Sequence, residues 1–199
     1  MMFDQALQGR PSWLDLPGSA PRELSVARWH ADATGGDSVL LDACTGPTLD
    51  VGCGPGRLVT ALRSRHVEVL GVDVSPEAVR RTTARGGAAL HRDVFGPLPG
   101  EGRWHHVLLA DGNIGIGGDP EALLRRVHRL LRPAGTVVAE VEPPGSGLTT
   151  GPARVRTGAT SSGWFEWARS DAESVRADGF LPLWHRERAG RWFACWEKP

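Results

Sequence analysis

The sequence predicts one α/β domain, a three-layer α-β-α fold around a doubly wound, mostly parallel seven-stranded sheet with a C-terminal antiparallel hairpin. Short apolar runs alternate with helical patterns between residues 48 and 142, as they do in parallel sheets that helices cover. These runs are nearly continuous, which is typical of strands that are buried on both faces. Near the C-terminus, two strand-like segments flank Ala189-Gly190, a dipeptide that favours a tight turn.

The central region carries the clearest local signals. Two N-cap pairs, Ser75-Pro76 and Asp119-Pro120, predict the starts of helices, and a third helix is predicted over 57–65. The apolar runs predict five strands, at residues 49–51, 67–73, 88–90, 107–110 and 136–141. We therefore expect residues 47–142 to form the core of a single domain that spans residues 1–199.

The flanking regions have weaker signals. Residues 1–46 are expected to form a loose arm followed by short helices, one of them starting at Pro21 and ending near Ala31. Residues 143–199 are expected to contain a polar loop, a short helix over 170–179 and the hairpin. An alternation at 153–156 leaves an added strand open as an alternative to loop there.

Composition limits the class of protein. The 199 residues suit one domain, and the formal net charge of zero predicts no nucleic-acid partner. No apolar stretch approaches the roughly 20 residues of a membrane span, and no secretion signal is visible at the N-terminus. The three cysteines form no CxxC pair, which indicates a reducing compartment. We therefore expect a cytoplasmic protein without a membrane partner, either a monomer or a homodimer.

The glycines at 52, 54 and 56 are the most informative feature. They follow an apolar run that ends in Asp50, and a helical pattern starts directly behind them. Glycines at such a turn let the backbone leave a strand sharply and lie against a ligand, so a nucleotide-type cofactor is expected. A P-loop would need Gly-Lys-Ser/Thr, which is missing, and the dinucleotide fingerprint would need glycine where Arg57 stands.

A second acid supports a cofactor that contains a ribose. Asp73 ends the second predicted strand, 21 positions after Gly52. That separation is close to the roughly 20 residues expected for a carboxylate that accepts ribose hydroxyl protons.

Together, these residues resemble the class I S-adenosylmethionine-dependent methyltransferases. The resemblance is carried by the acid-x-Gly-x-Gly-x-Gly pattern from Asp50, by Asp73 and by Leu-Arg-Pro-Ala-Gly at 131–135. It implies S-adenosylmethionine as cofactor and S-adenosylhomocysteine as product. The Gly-, Ala-, Pro- and Arg-rich composition, which contains no Tyr, suggests strong GC pressure and hence a small bacterial member of actinobacterial type.

The resemblance also implies which residues hold the cofactor. The glycine backbone approaches the methionine and ribose, Asp50 orients the methionine end, and the backbone near Ala110 holds the ammonium group. Asp93 meets the adenine edge, and Phe3 closes over the cofactor from the N-terminal arm. The expected cofactor-binding residues are Phe3, Asp50, Gly52, Cys53, Gly54, Gly56, Asp73, Val74, Asp93, Val94, Ala110 and Asp111.

Candidates for catalysis follow the fourth predicted strand. The only Asn of the chain, Asn113, and both Ile residues fall within four positions, which suggests a specific requirement there. Asp111 and Asn113 are the candidates for orienting a substrate or accepting a proton, and roles in turn geometry or cofactor binding remain open. No metal is expected, because the acids after the fifth strand do not complete the metal-binding set of the catechol-type members.

The expected substrate is a small molecule. The Asn/Asp-Pro-Pro-aromatic motif of the family's nucleobase-amine enzymes is absent, which argues against base methylation. The candidate substrate residues are Asn113, Glu142, Trp164 and Trp167, although core packing of the two Trp residues remains open.

Three functions remain open from the sequence. The first is methyl transfer to an O, N or S nucleophile of a small molecule. The second is S-adenosylmethionine binding without transfer, in a sensor or an assembly partner. The third is an NAD-dependent oxidoreductase, against which Arg57 counts.

Overall fold

A computed structural model describes residues 2–199. The N-terminal region contains α1 (Asp4–Leu7), β1 (Trp13–Asp15), β2 (Arg22–Glu23), α2 (Val26–His30) and α3 (Ser38–Ala43). The central region contains β3 (Thr48–Val51), α4 (Arg57–Ser64), β4 (Val69–Asp73), α5 (Pro76–Ala84), β5 (Ala89–His91), β6 (Trp104–Leu109), α6 (Pro120–Leu130) and β7 (Leu131–Val141). The C-terminal region contains β8 (Leu148–Thr157), β9 (Thr160–Ser161), β10 (Phe165–Ser170), β11 (Leu181–Arg188) and β12 (Arg191–Glu197).

A seven-stranded sheet forms the centre, in the order β11-β12-β7-β6-β3-β4-β5. The pairs among β3 to β7 are parallel, whereas β12 pairs antiparallel with both β7 and β11. This confirms the mostly parallel sheet and the C-terminal hairpin. The strand order reverses between β3 and β6, and a crevice at the carboxyl ends of the strands is expected at such a switch point.

Helices cover both faces of this sheet because its strands alternate side chains between two apolar clusters. Val107 and Leu109 pack in the cluster that contains the buried face of α6. Leu108 and Ala110 point the other way, into the cluster that includes Leu58 and other residues of α3 and α4. The predicted N-caps are also confirmed: the side chains of Ser75 and Asp119 accept hydrogen bonds from backbone N–H groups at the starts of α5 and α6.

A second sheet is the largest departure from the sequence-based expectation. β10, β8, β1 and β2 pair antiparallel in that order, and β9 adds to β8. The arm expected to be loose therefore supplies β1, the start of the helix expected from Pro21 supplies β2, and most of the expected loop at 143–162 is strand. Burial explains the sheet, since Leu14, Val155 and Trp167 share a third apolar cluster.

Two predicted helices are corrected. The helix expected from Pro21 is shorter: β2 occupies its start, and only α2 remains helical. The helix expected over 170–179 is absent. There the carboxylate of Asp171 accepts hydrogen bonds from the N–H groups of Ser174 and Gly147, at 2.8 and 2.9 Å. Such side-chain bonds to the backbone compete with helix formation and favour a turn.

Candidate active site

The glycine turn leaves β3 with three left-handed residues in alternation. Gly52, Gly54 and Gly56 have φ angles of +69°, +52° and +85°. A Cβ at Gly52 would lie 2.6 Å from the Asn113 amide nitrogen, and one at Gly56 would lie 2.7 Å from the Thr82 hydroxyl. Both the dihedral angles and the close neighbours therefore require glycine.

A cavity of about 420 Å³ lies at this turn, and residues of both sheets line it. Eleven of the twelve expected cofactor-binding residues reach it, the exception being Gly56, and so do Asn113, Glu142 and Trp167. Cys53 also lies beside Thr82, and burial raises the pKa of its thiol well above the ordinary value, which keeps it protonated.

The carboxylate of Asp73 is held at the cavity wall by the backbone. One oxygen accepts a hydrogen bond from the Gly54 N–H at 3.0 Å, and the other from the Ser75 N–H at 2.8 Å. Each carboxylate oxygen has a second lone pair, so both can still accept a proton from a ligand hydroxyl. Burial raises the pKa of Asp73 above its ordinary value, although these two N–H groups lower it in part.

Asp50 lies near the carboxyl end of β3 as a buried acid, with only 2% of its surface exposed. Burial raises the pKa of Asp50 to about 7, although the Arg57 guanidinium lowers it in part. The negative charges of Asp111 and Asp73 raise it further. A cationic group in the cavity beside Asp50 would therefore favour its ionised form.

The loop after β5 is anchored from α6. Asp93 accepts a hydrogen bond from the Phe95 N–H at 2.9 Å, which shapes the turn. The buried Arg126 donates to the carbonyl oxygens of Val94 and Gly96, at 2.7 and 2.6 Å. Sequence reasoning missed Arg126. The available signal was a charged residue at an apolar position of an amphipathic helix.

A buried network of ion pairs closes the cavity at the ends of β6 and β7. Arg57 pairs with Asp111 at 2.6 Å and also with Asp37, and Arg191 pairs with Glu140 at 2.6 Å. Three cations and three anions balance here: Arg28, Arg57 and Arg191 with Asp37, Asp111 and Glu140. Burial alone would raise the pKa of Asp37, but Arg57 and Arg191 hold it below the ordinary value. Arg57 is itself buried, with only 3% of its side chain exposed.

Asp111 lies at the carboxyl end of β6, as expected, but its carboxylate is fully engaged. One oxygen accepts from Arg28 at 2.8 Å and the other from Arg57 at 2.6 Å. Its own N–H donates to Glu140 at 2.7 Å. Both carboxylate oxygens are therefore occupied by guanidinium donors. The geometry therefore favours an orienting role for Asp111 over proton transfer.

Asn113 supports the glycine turn directly. Its side-chain amide donates to the carbonyl oxygens of Val51 and Gly52, at 2.9 and 3.0 Å. An asparagine amide nitrogen carries two N–H donors, one for each of these carbonyls. These two hydrogen bonds to the glycine turn give a structural reason for an asparagine at position 113.

Aromatic rings form the wall opposite the central sheet. The Phe3 ring lies 5.5 Å from the Phe165 ring and 5.6 Å from the Trp167 ring, measured between centroids. Trp164 lies outside the cavity, with 56% of its surface exposed and the Arg154 guanidinium 4.9 Å from its ring.

Within residues 2–199, no group of three or more His, Cys, Asp or Glu side chains is arranged to hold a metal ion. No helix in that range is long and apolar enough to cross a membrane.

Solved structures share this fold. An S-adenosylmethionine-dependent methyltransferase from Bacteroides fragilis, in complex with S-adenosylhomocysteine, has a TM-score of 0.76 and 21% identity, over 98% of this chain and 90% of that one. A 1,6-didemethyltoxoflavin-N1-methyltransferase from Burkholderia thailandensis, with bound 1,6-didemethyltoxoflavin and S-adenosylhomocysteine, has a TM-score of 0.57 and 22% identity, over 81% and 76%. The glycopeptide N-methyltransferase MtfA, complexed with S-adenosylmethionine, has a TM-score of 0.62 and 15% identity, over 92% and 100%. A search of curated proteins found no match.

The family comparison locates the matching part of the chain. Residues 48–135 match the family model of a methyltransferase domain. The match is less than half of the chain, and it includes the glycine turn, Asp73 and Asn113. With the fold comparisons, it gives the chain the architecture of S-adenosylmethionine-dependent methyltransferases. The second sheet and Glu140 lie outside the matched methyltransferase domain.

Within the matched segment, Asn113→Ala is expected to weaken binding of S-adenosylhomocysteine about fivefold, because two hydrogen bonds that hold the glycine turn are lost. Isothermal titration calorimetry measures the effect. Gln8→Ala, which removes an exposed amide away from the cavity, is the matched control. Equal affinity of the Asn113→Ala variant and the parent protein would show that the turn does not need this support.

Proposed function

We propose that this protein binds S-adenosylmethionine in the cavity and transfers its methyl group to an O, N or S nucleophile of a small molecule, releasing S-adenosylhomocysteine. The observation that carries the proposal is the glycine turn beside the Asp73 carboxylate, at adjacent carboxyl ends of β3 and β4. The match of this segment to a methyltransferase domain supports it. The complexes of the similar structures with S-adenosylmethionine or S-adenosylhomocysteine support the cofactor.

The residues present fit this cofactor in shape and charge. A volume of about 420 Å³ is within the range of about 300–1,000 Å³ for small-molecule sites. At Gly52, which lines the cavity, the space that a side chain would need is already filled, so the backbone itself faces the ligand. Asp50 and Asp73 supply negative charge for a ligand that carries a sulfonium and an ammonium group.

In this proposal each residue has a defined task. Asp73 accepts the ribose hydroxyl protons, and Asp50 pairs with the ammonium group of the methionine end. Asp93 and the Val94 backbone meet the adenine edge, and Phe3 covers the cofactor from the arm. The remaining proposed contacts are Cys53, Gly54, Val74 and the backbone of Ala110 and Asp111.

The chemistry needs alignment more than covalent assistance. When bound, S-adenosylmethionine supplies a methyl group on a positively charged sulfur. The protein's part is to hold the acceptor's nucleophile in line with that methyl group, which alone can contribute several kcal/mol. We propose that Asp111 and Asn113 serve catalysis by fixing the geometry of the cavity, and that Trp167 and Glu142 contact the acceptor. Aromatic side chains of the second sheet exclude water from the reacting groups.

We propose a cytoplasmic bacterial protein of the small actinobacterial type, acting as a monomer or a homodimer without nucleic acid. The zero net charge supports the absence of a nucleic-acid partner, and the unpaired cysteines support a reducing compartment such as the cytoplasm.

A turnover assay tests the proposed function. The protein is incubated with S-adenosylmethionine and a panel of small molecules that carry hydroxyl, amine or thiol groups, and S-adenosylhomocysteine is measured by mass spectrometry. We expect acceptor-dependent product with the parent protein and none with Asp73→Ala. Cofactor binding without product across the panel would favour a sensor or an assembly partner. Binding of NADH in place of S-adenosylhomocysteine would favour an oxidoreductase.

A further inference from the structure

One face of β10 points three side chains into the cavity. Phe165, Trp167 and Arg169 occupy alternate positions of this strand, so they share a face, and all three line the cavity. The strand belongs to the second sheet, and an isolated bridge joins Trp167 to Ile116. This face therefore reaches the cavity from outside the matched methyltransferase domain.

Arg169 differs from the other arginines of the cavity because its side chain has neither a hydrogen bond nor an ion pair among the described residues. Among the other cavity arginines, Arg22 pairs with Glu142, while Arg28 and Arg57 pair with acids of the buried network. Arg92 is exposed and donates to a carbonyl of its own strand end. Among the described residues, Arg169 makes no hydrogen bond or ion pair through its side chain, and its Nε is buried without an acceptor.

A buried guanidinium N–H without an acceptor is costly, so its retention in a cavity indicates a ligand that satisfies it. Planar guanidinium groups pair best with carboxylates, through two parallel hydrogen bonds. The two rings on the same face of β10, together with Phe3, offer flat apolar surface next to that charge.

We infer that the methyl acceptor is a flat, largely apolar molecule that carries a carboxylate, with Arg169 pairing with the carboxylate while Phe165 and Trp167 contact the ring. This inference rests on the proposed function and specifies the acceptor class. The competing source of a carboxylate is the methionine end of the cofactor itself. The position of Arg169 on the second sheet favours the acceptor, because the methionine end is assigned to the tips of β3 and β6 in the central sheet.

Two matched probes test the inference. We choose 6-hydroxy-2-naphthoate and its neutral counterpart 6-hydroxy-2-naphthamide, which differ in charge and hardly in shape. Their binding is followed by fluorescence, with saturating S-adenosylhomocysteine present. We expect the parent protein to bind the acid about tenfold more tightly than the amide, the size expected of a hydrogen-bonded charge pair. Equal affinities, or no binding of the acid, would overturn the inference.

Variants assign the preference to Arg169. We expect Arg169→Gln to bind acid and amide alike, Arg169→Lys to keep part of the preference, and Arg103→Gln, an exposed arginine outside the cavity, to behave like the parent protein. Thermal melting identifies a variant that does not fold. If Arg169→Gln does not fold, the Arg169→Lys variant tests the inference instead. An unchanged preference for the acid over the amide in that variant would contradict pairing of the planar Arg169 guanidinium with the carboxylate.

Binding of S-adenosylhomocysteine, measured without the probes, distinguishes a failure of this inference from a failure of the proposed function. Calorimetry with S-adenosylhomocysteine is expected to give the same affinity for Arg169→Gln and the parent protein. A loss of about tenfold or more there would mean that Arg169 holds the cofactor's carboxylate, which overturns the inference while leaving the proposed function intact. If the parent protein does not bind S-adenosylhomocysteine, the proposed function fails. The probe titrations without it then still decide whether Arg169 selects an anion.

Discussion

Asp73→Ala is expected to weaken binding of S-adenosylhomocysteine by at least about a hundredfold. A carboxylate that accepts two hydroxyl protons makes two charge-assisted hydrogen bonds, each contributing about 1.5–3 kcal/mol, and every 1.4 kcal/mol is about tenfold in affinity. The Asp73 carboxylate also holds the Gly54 N–H, so the variant loosens the glycine turn as well. Isothermal titration calorimetry measures the affinity.

A ligand pair separates the ribose contact from the loosened turn. The parent protein should prefer adenosine over 2′,3′-dideoxyadenosine, and Asp73→Ala should not, because only the hydroxyl contacts differ between the two nucleosides. Asp178→Ala removes an exposed acid away from the cavity and serves as the control. If Asp73→Ala retained the preference, Asp73 would not be the ribose ligand.

The affinity for S-adenosylhomocysteine is expected to fall about a hundredfold between pH 8 and pH 5. Burial raises the pKa of Asp50 to about 7 in the free protein, so its carboxyl group is mostly protonated below that pH. The ligand's ammonium group favours the ionised form, so binding below pH 7 releases a proton. The affinity therefore falls about tenfold per pH unit below the pKa and stays level just above it. The raised pKa of Asp73 acts in the same direction.

Calorimetry at several pH values measures this profile, and buffers of different ionisation enthalpy count the released protons. Asp50→Asn keeps the shape of the side chain without its charge, so its affinity should be weaker at pH 8 and nearly level down to pH 6. A level profile for the parent protein, or a steep one for Asp50→Asn, would show that Asp50 is not the partner of the ammonium group.

The central sheet and the glycine turn were predictable because their signals are local. Ser75 and Asp119, each followed by Pro, predict the starts of helices, and in the structure they cap those helices. The glycines of the turn are required by backbone angles that other residues rarely adopt. The position of Asp73 at the end of β4 was also predictable, because the apolar run before it marks the strand, and that strand lies parallel to β3.

The second sheet was not predictable because its pairings join distant parts of the chain. Trp13 pairs with Arg156, which lies on the far side of the whole central region. The start of β8 is rich in Gly, Thr and Pro, a composition that favours loops, and strand formation there depends on its partners. The position of Trp164, just before β10 begins, could not be distinguished from that of Trp167 until the strand's start was known.

The partners of the buried polar side chains were not predictable either, because they lie far away in the sequence. Arg57 opens α4, where the sequence alone favours an exposed position, yet it pairs with Asp111, 54 positions away. Asn113 stood out by composition, but the carbonyls it binds could be identified only from the folded turn. Ion pairs between separate elements leave no periodic signal, because each member looks like an ordinary surface residue in its own segment.

Calorimetric titration of the parent protein with S-adenosylhomocysteine, and separately with NADH, tests most directly that this cavity is an S-adenosylmethionine site. Saturable binding of S-adenosylhomocysteine at one site per chain is expected, with no heat from NADH. Binding of NADH, or no binding of S-adenosylhomocysteine at neutral pH, would contradict the assignment of the glycine turn and Asp73 to that cofactor.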